Sequence, residues 1–452
     1  MVNSDPRLWA VRQIAYSPEV RDMAKSYYFI SDLHIGGDEA LGVCDYEAEL
    51  VAFLQELAGR EEEAELVIVG DIFGMWEFTN IKGPEKLQAL MQQFPTIFEA
   101  FRKAGEKIKI TILPGNHDYE IACYPKFVEI LKDFNIDLEQ RPAITRELAG
   151  KRIWIEHGNQ YDDFNRMPDF GNPYALPVGY FITSGMVSGA GKHSQYGRNN
   201  WLKDIQSVYP TEQIPYWVIS NYFYREMSPW LRWLILPFLL LFGLTTFVLA
   251  GAALEWVGIT QTNIFLYNGL FASLGYLGNL VQIVLIINAI VYAVLGVLFV
   301  PLSFILRDIK KTLKRFRLIT HPDDLASGKE QSYLDAAQAV FEHDPDTTIF
   351  IYGHTHAPSL RRLGNRVVLN TGTWLKRLVR VPLRFGYLPD IYVPFYFLDY
   401  FKLSDADGTI AIDFQRIDKA QPQELDLLQR LLISRKPRPM EEPIPARTIL
   451  EV

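Results

Sequence analysis

The sequence predicts an α/β layered fold interrupted by a membrane-type helical hairpin. Three observations lead there. Short apolar strand-like runs alternate with amphipathic helical segments, the same alternation resumes near the C-terminal end, and a long uncharged stretch lies between the two parts.

Strand-like runs fall at Tyr27–Ile30, Leu66–Val69, Ile108–Leu113 and Ile153–Ile155. Between them, Leu50, Phe53, Leu54 and Leu57 recur at helical spacing, as do Leu87, Leu90, Met91 and Phe94. From Asn172 to Arg232 the pattern loosens into a Gly-, Tyr-, Trp- and Ser-rich stretch. Trp233–Leu254 is then 22 residues without a charge, and after Glu255 nothing charged appears until Arg307. A helix of that length reaches about 33 Å, enough for a hydrocarbon core of about 30 Å. Ser332–His343 reads as a helix, and Thr348–Tyr352 and Arg366–Leu369 as strands. Residues 385–401 are crowded with aromatics, which reads first as core or membrane-interface packing. The Pro-rich, charged tail from Gln421 is expected to be mobile. The expected organisation is a first enzyme part at 1–171, an insertion or cap at 172–232, a hairpin at 233–306, a basic juxtamembrane and helical connection at 307–346, a second enzyme part at 347–420 and a flexible tail at 421–452.

Composition narrows the function. The chain has 452 residues, 49% of them hydrophobic, so it can bury a large core. A net charge of −8 argues against a nucleic-acid coat, and no nucleic-acid partner is expected. Two cysteines, Cys44 and Cys123, make neither a disulfide framework nor a thiolate metal site. Met1 to Arg12 is polar and has no secretion-signal pattern, which predicts a cytoplasmic start.

Five short motifs follow apolar runs: Asp32-Leu33-His34, Gly70-Asp71, Gly115-Asn116-His117-Asp118, His157-Gly158 and Gly353-His354-Thr355-His356. In an α/β sheet, loops at the carboxyl ends of strands gather along one edge, so motifs far apart in sequence can meet. Asp32 and Asp71 offer hard oxygens, Asn116 a carbonyl, and His34, His157, His354 and His356 imidazole nitrogens. Mixed oxygen and nitrogen donors without thiolate suit Mn, Fe or Zn. A carboxylate such as Asp71 can bridge two ions. Taken singly, these residues have plainer readings: Asp32 or Asp71 could cap a helix, and His157 could be a hydrogen-bonded core histidine. Their joint occurrence favours a metal site, since five of the eight histidines lie in the motifs. Asp118 and Asp162 read equally well as carboxylates that orient histidines or as turn residues.

The motif order over about residues 27–160 and 347–374 resembles the signature of the calcineurin-like metallophosphoesterase superfamily. The resemblance implies a β-sandwich flanked by helices, here with an inserted transmembrane hairpin. It implies that Asp32, His34, Asp71 and His356 hold one divalent ion and Asp71, Asn116, His157 and His354 a second, with Mn²⁺ preferred and Fe or Zn as alternatives. His117 would contact the phosphate and assist the leaving group, and a metal-activated water would attack. Within the superfamily, Gly70-Asp71-Ile72-Phe73 with Trp76 close behind looks like the UDP-2,3-diacylglucosamine pyrophosphohydrolases. That family carries a lipid-handling insertion in the interval that holds the hydrophobic segment here. It usually has Arg where this chain has His117, and its insertion is shorter and does not span the membrane.

The expected activity is therefore hydrolysis of a phosphodiester or pyrophosphate bond in a phosphate-containing, lipid- or nucleotide-linked substrate. A broad phosphomonoesterase, a cyclic-nucleotide phosphodiesterase and an inactive membrane scaffold are the alternatives. Ligands for the site lie on both sides of the hydrophobic stretch, so an even number of crossings is expected, with Trp233–Leu254 and Val281–Val300 as the two. Arg225 and Arg232 precede the first, and Arg307, Lys310, Lys311, Lys314, Arg315 and Arg317 follow the second. The positive-inside rule then predicts a multi-pass protein of the cell (inner) membrane with its catalytic domain in the cytoplasm. Ile309, Leu313 and Phe316 share a face of the basic run, which predicts contact with anionic lipid headgroups.

Overall fold

The computed structural model of the chain describes residues 25–37, 44–60, 63–78, 80–187, 202, 204–208, 213–262, 264–265, 271, 274–315, 324–383, 388–422, 424–433 and 443–451. Its strands are β1 (Ser26–Ile30), β2 (Ala64–Val69), β3 (Lys109–Leu113), β4 (Asp137–Leu138), β5 (Ala143–Leu148), β6 (Lys151–Glu156), β7 (Thr347–Tyr352), β8 (Ser359–Leu363), β9 (Arg366–Asn370), β10 (Arg377–Val381), β11 (Ile391–Phe395), β12 (Leu398–Ala406), β13 (Thr409–Ile417) and β14 (Arg447–Leu450). Its helices are α1 (Glu47–Ala58), α2 (Glu85–Gln93), α3 (Pro95–Gly105), α4 (Lys126–Lys132), α5 (Val178–Phe181), α6 (Ile214–Asn221), α7 (Pro229–Trp256), α8 (Gly275–Arg315), α9 (Asp324–His343) and α10 (Leu427–Leu432).

The strands form a seven-stranded sheet, β14-β13-β12-β1-β2-β3-β4, a five-stranded sheet, β5-β6-β7-β9-β8, and a two-stranded ribbon, β10-β11. Strands β1 to β4 run parallel, as do β6, β7 and β9; antiparallel strands close every edge except that of β4. Side-chain alternation along β1 shows how the layers stack. Tyr28 and Ile30 face the core under α1, α2 and α3, whereas Tyr27 and Phe29 face Ile153, Ile155, Ile349 and Ile351 of the second sheet. The outer face of the second sheet, with Trp154, Phe350 and Tyr352, is covered by Tyr333, Ala336, Ala337 and Val340 of α9. Mixed sheets with flanking helices are thus stacked as helix, sheet, sheet, helix, and the central strands of both sheets are buried on both faces. That explains why their strands read as continuous apolar runs.

The aromatic stretch at 385–401 is largely core: Phe397, Tyr400 and Phe401 are buried, and Trp374 is fully buried with its indole N–H donating to Asp399 O at 2.9 Å. The tail departs from expectation. Asp426 and Gln429 form a reciprocal capping box on α10, and β14 pairs antiparallel with β13 to extend the large sheet. Composition missed this because β14 is a four-residue edge strand whose buried positions, Thr448 and Leu450, are fixed only by pairing.

Helices α7 and α8 are long and apolar enough to cross a membrane, over Pro229–Trp256 (28 residues) and Gly275–Ile305 (31 residues). Both extend beyond the predicted crossings. Their contact is pinned by Asn288, whose side-chain amide donates to Phe238 O and to Thr245 Oγ1, each at 3.1 Å. The outer faces of both helices are apolar and exposed, with Phe247, Leu280, Ile290 and Phe299 among them. Of the predicted basic face, Phe316 lies outside the described residues, as do the histidines at 193 and 321.

Beside the inter-sheet core lies a buried ion pair. Arg146 of β5 donates through Nε and Nη2 to the two carboxylate oxygens of Glu65 on β2, both at 2.8 Å, and Thr111 of β3 donates to the same carboxylate at 2.6 Å. Arg146→Ala should destabilise the fold by about 3–5 kcal/mol by leaving an uncompensated buried carboxylate. The double change Glu65→Leu/Arg146→Met should be milder. Thermal unfolding in detergent checks the order, and a single variant as stable as the double one contradicts it.

Candidate metal centre

All five motifs sit in loops at the carboxyl ends of strands: Asp32 and His34 after β1, Asp71 after β2, Asn116 and His117 after β3, His157 after β6, and His354 and His356 after β7. Because β1, β2 and β3 are parallel in one sheet and β6 and β7 parallel in the other, the sandwich brings these loops to a common edge.

Two groups of donors form there. In the first, His356 Nε2 lies 3.2 Å from Asp32 Oδ1 and 3.2 Å from His34 Nε2. In the second, His157 Nε2 lies 3.2 Å from Asp71 Oδ2 and 3.2 Å from Asn116 Oδ1, with His354 close by. Asp71 Oδ2 is also 3.7 Å from His34 Nε2, so Asp71 stands between the groups. The structure thus brings together all seven side chains singled out in the sequence. His117 stands beside them, its ring 4.5 Å from that of His34.

The backbone around these residues is strained in a telling way. Eight non-glycine residues among those described adopt positive φ, and five of them are Asp32, His34, Asp71, His354 and His356. Left-handed backbone at a non-glycine residue costs of order 1 kcal/mol or more and persists only where the surroundings over-determine it. The surroundings do so here. His34 N donates to Asp71 O at 2.8 Å, His354 N to Asp32 Oδ2 at 3.0 Å and His117 N to Asp71 Oδ1 at 2.7 Å. Gly115 is needed for close approach, since a Cβ there would collide with the Asp71 carboxylate.

The donor set fits a cation. His157 Nδ1 can only donate to the Val69 carbonyl at 2.8 Å, which leaves Nε2 to face Asp71 and Asn116. Asp32 Oδ1 is fully buried without a hydrogen-bond donor, and two imidazole nitrogens, of His34 and His356, point at each other. Burial works against charge on Asp32 and Asp71. Even so, the neighbouring imidazoles of His356 and His34 hold Asp32 well below the usual carboxylate range, and His157 does the same for Asp71. Burial pushes His34 and His354 below the ordinary histidine value, helped by His117 at the first and by His157 at the second, against the upward pull of Asp32 and Asp162 respectively. Burial also opposes charge on His157, but the Asp71 carboxylate outweighs it and raises the group to about 10. A cation taking this place would displace that proton, so its uptake is favoured as pH rises.

The two carboxylates left open by sequence separate in role. Asp118 accepts from Ile72 N at 2.8 Å and Gly115 N at 2.6 Å, so it ties the β2 and β3 loops together. Burial and the Asp71 charge raise it to about 7. Asp162 Oδ2 lies 3.2 Å from His354 Nε2 while its other oxygen caps Phe164 N. Sequence reading missed Glu77. Its carboxylate lies 3.4 Å from His117 Nδ1, and against the opposing effect of burial it raises the imidazole above its ordinary value. Trp76 packs against the same ring, tilted by 34° with the centroids 4.1 Å apart. The run from Gly70 to Trp76 had drawn attention as a motif, and the only available signal for Glu77 was its place directly after it. Gln206, in the stretch that resisted assignment, donates to Glu77 Oε1.

Comparison with known proteins agrees with this geometry. The family model described as calcineurin-like phosphoesterase matches residues 26–233, ending where the first long apolar helix begins. No curated protein sequence matches the chain. Among solved structures, a predicted phosphoesterase from Streptococcus pneumoniae is 10% identical over 89% of this chain and 96% of its own, with a TM-score of 0.26. Zinc-bound Vps29 from Entamoeba histolytica is 9% identical over 87% and 98%, with a TM-score of 0.26. Phosphopantetheinyl hydrolase from Mycobacterium tuberculosis is 10% identical over 77% and 90%, with a TM-score of 0.25. At these TM-scores none of the three likenesses bears on the fold. Over residues 26–233 the chain is similar to the calcineurin-like phosphoesterase family, and that match together with the converging donor set fits a metal-dependent phosphoester hydrolase.

Proposed function

We propose that this protein is a membrane-anchored two-metal hydrolase of a phosphodiester or pyrophosphate bond, acting on a lipid- or nucleotide-linked substrate. The observation that carries the reading is the position of Asp71 between two donor groups. Asp32, His34, Asp71 and His356 would hold one ion, and Asp71, Asn116, His157 and His354 the other. Mn²⁺ is the first choice for an oxygen-and-imidazole set, with Fe or Zn next. A pair of such ions supplies activation of water and electrostatic clamping of the phosphoryl group. Around them the chain's own groups orient and move protons. His117, held by Glu77 and Trp76, would face the phosphate and give its proton to the leaving oxygen. The backbone N–H of His117 keeps Asp71 aimed at both groups.

Support for the membrane reading is geometric. The chain leaves the second sheet after β6 and returns to β7 beside it, so both halves of the site lie on one side of any bilayer crossed between them. Two crossings, α7 and α8, satisfy that condition. Arg225 and Arg232 around the start of α7 and Arg307 and Lys311 near the end of α8 support a cytoplasmic position for both flanks by the positive-inside rule. Support for a lipid-linked substrate is the position of this anchor, inserted within the enzyme itself.

Three outcomes follow. Asp71→Ala should abolish Mn²⁺-dependent hydrolysis, and His117→Ala should lower kcat by about 10²–10⁴-fold while sparing metal content; wild-type turnover by the Asp71 variant would refute the assignment. A cysteine replacing Gln261 should label from outside intact cells and one replacing Lys311 should not, in a background lacking Cys44 and Cys123; the reverse pattern overturns the topology. Matched acylated and water-soluble pyrophosphates, diesters and monoesters should be turned over with a preference for the acylated forms, and a clear preference for soluble monoesters would point to a broad phosphomonoesterase.

A further inference from the structure

We infer that the C-terminal helix α10 is a second, non-spanning membrane contact that lies in the cytoplasmic leaflet against the base of the hairpin. The inference rests on the membrane reading of α7 and α8 and adds a lipid surface contributed by the segment between β13 and β14.

The position of α10 is set by what it touches. Asp426, its N-cap, pairs with Arg232 of α7 at 3.4 Å. Leu425, Leu428 and Leu432 pack into the apolar cluster that contains Leu236 and Leu239 of α7. From Arg232 to Leu239 is about 10 Å of helix. If α7 enters the bilayer at its first turn, where Trp230 and Trp233 are exposed like an interfacial aromatic belt, then α10 lies at headgroup and upper acyl depth.

The free face of α10 matches that depth. Leu427 and Leu431, one turn apart, are 77% and 75% exposed. They point away from the cluster that holds Leu428 and Leu432. The neighbouring helix α6 repeats the arrangement: Trp217 is buried, while Tyr216 and Ile219, three residues apart, are 55% and 59% exposed. The next turn, at Phe223 and Tyr224, joins the same cluster as Leu236. Two short helices fixed to the hairpin base thus each present an apolar face to the outside. A bilayer that surrounds α7 covers such faces continuously.

The same segment reaches the metal centre. Glu424, two residues before the α10 cap, pairs with buried Lys376 at 2.9 Å, and Arg225 beyond α6 pairs with Glu424 at 3.6 Å. Next to Lys376, Arg377 donates to the His356 carbonyl, and Thr373 donates to Asp32 O at 2.7 Å. A lipid contact at α10 is therefore joined by direct pairs to the loop beneath two of the proposed ligands.

The test uses the full-length protein, with Cys44 and Cys123 replaced by Ser, reconstituted in phosphatidylcholine–phosphatidylglycerol vesicles. A polarity-sensitive fluorophore is attached singly at Leu431→Cys, at Phe247→Cys within α7, and at Glu106→Cys as an aqueous reference. Quenching by lipids brominated near the headgroup end of the acyl chain is then measured. Strong quenching at 431 and 247, with none at 106, is the expected result. Quenching at 247 without quenching at 431 overturns the α10 inference and leaves the hairpin in the membrane. Absence of quenching at both overturns the membrane reading and this inference with it. A probe at 431 that is shielded only as protein concentration rises, without lipid quenching, assigns the face to a second copy of the chain and refutes the lipid contact.

Discussion

The site depends on one carboxylate. Asp71 leaves β2 with left-handed backbone, accepts the N–H of His117 and faces His34 on one side and His157 on the other. Those histidines come from different sheets, so Asp71 can reach both only if the sheets are packed face to face with their carboxyl edges aligned. The inter-sheet core does that aligning: Val67 and Val69 of β2 meet Ile153, Ile155, Ile349 and Ile351 across the sandwich. Site geometry is therefore a consequence of core packing, and the strained backbone at the five donor positions is held by hydrogen bonds within the first sheet's loops and by one between the sheets, from His354 N to Asp32 Oδ2.

The same packing explains how a long insertion can sit inside an enzyme domain. Parallel neighbours such as β6 and β7 require a crossover, ordinarily a helix laid on the sheet. Here α9 fills that role, with Tyr333, Ala336 and Val340 against Trp154 and Phe350. The hairpin is placed earlier in the crossover, between the end of β6 and the start of α9, and so lengthens a connection without breaking the sheet. The ribbon β10–β11 and the segment around Glu424 then brace its base through the cluster around Leu236.

Much of this was legible in the sequence. Strands buried on both faces appear as unbroken apolar runs, so β1, β2, β3, β6, β7 and β9 could be found within a residue or two. The seven donors could be named because oxygen and imidazole side chains next to glycine at strand ends are an unusual pattern. The two long apolar helices were legible from the absence of charge alone. Each of these signals is local, because strand and helix burial leaves its mark within a few consecutive residues.

What only the tertiary structure decided is which distant residues meet. Glu77 beside His117, Gln206 beside Glu77, Arg146 on Glu65 and Glu424 on Lys376 are pairs without a sequence period, since side chains brought together by sheet stacking leave no mark in spacing. The roles of Asp118 and Asp162 were undecided for the same reason: a carboxylate after a strand can cap a turn or hold a histidine, and only its neighbours choose. The tail read as mobile because charge and proline dominate its composition, yet a four-residue edge strand and one capped turn of helix gain their stability from partners elsewhere in the chain.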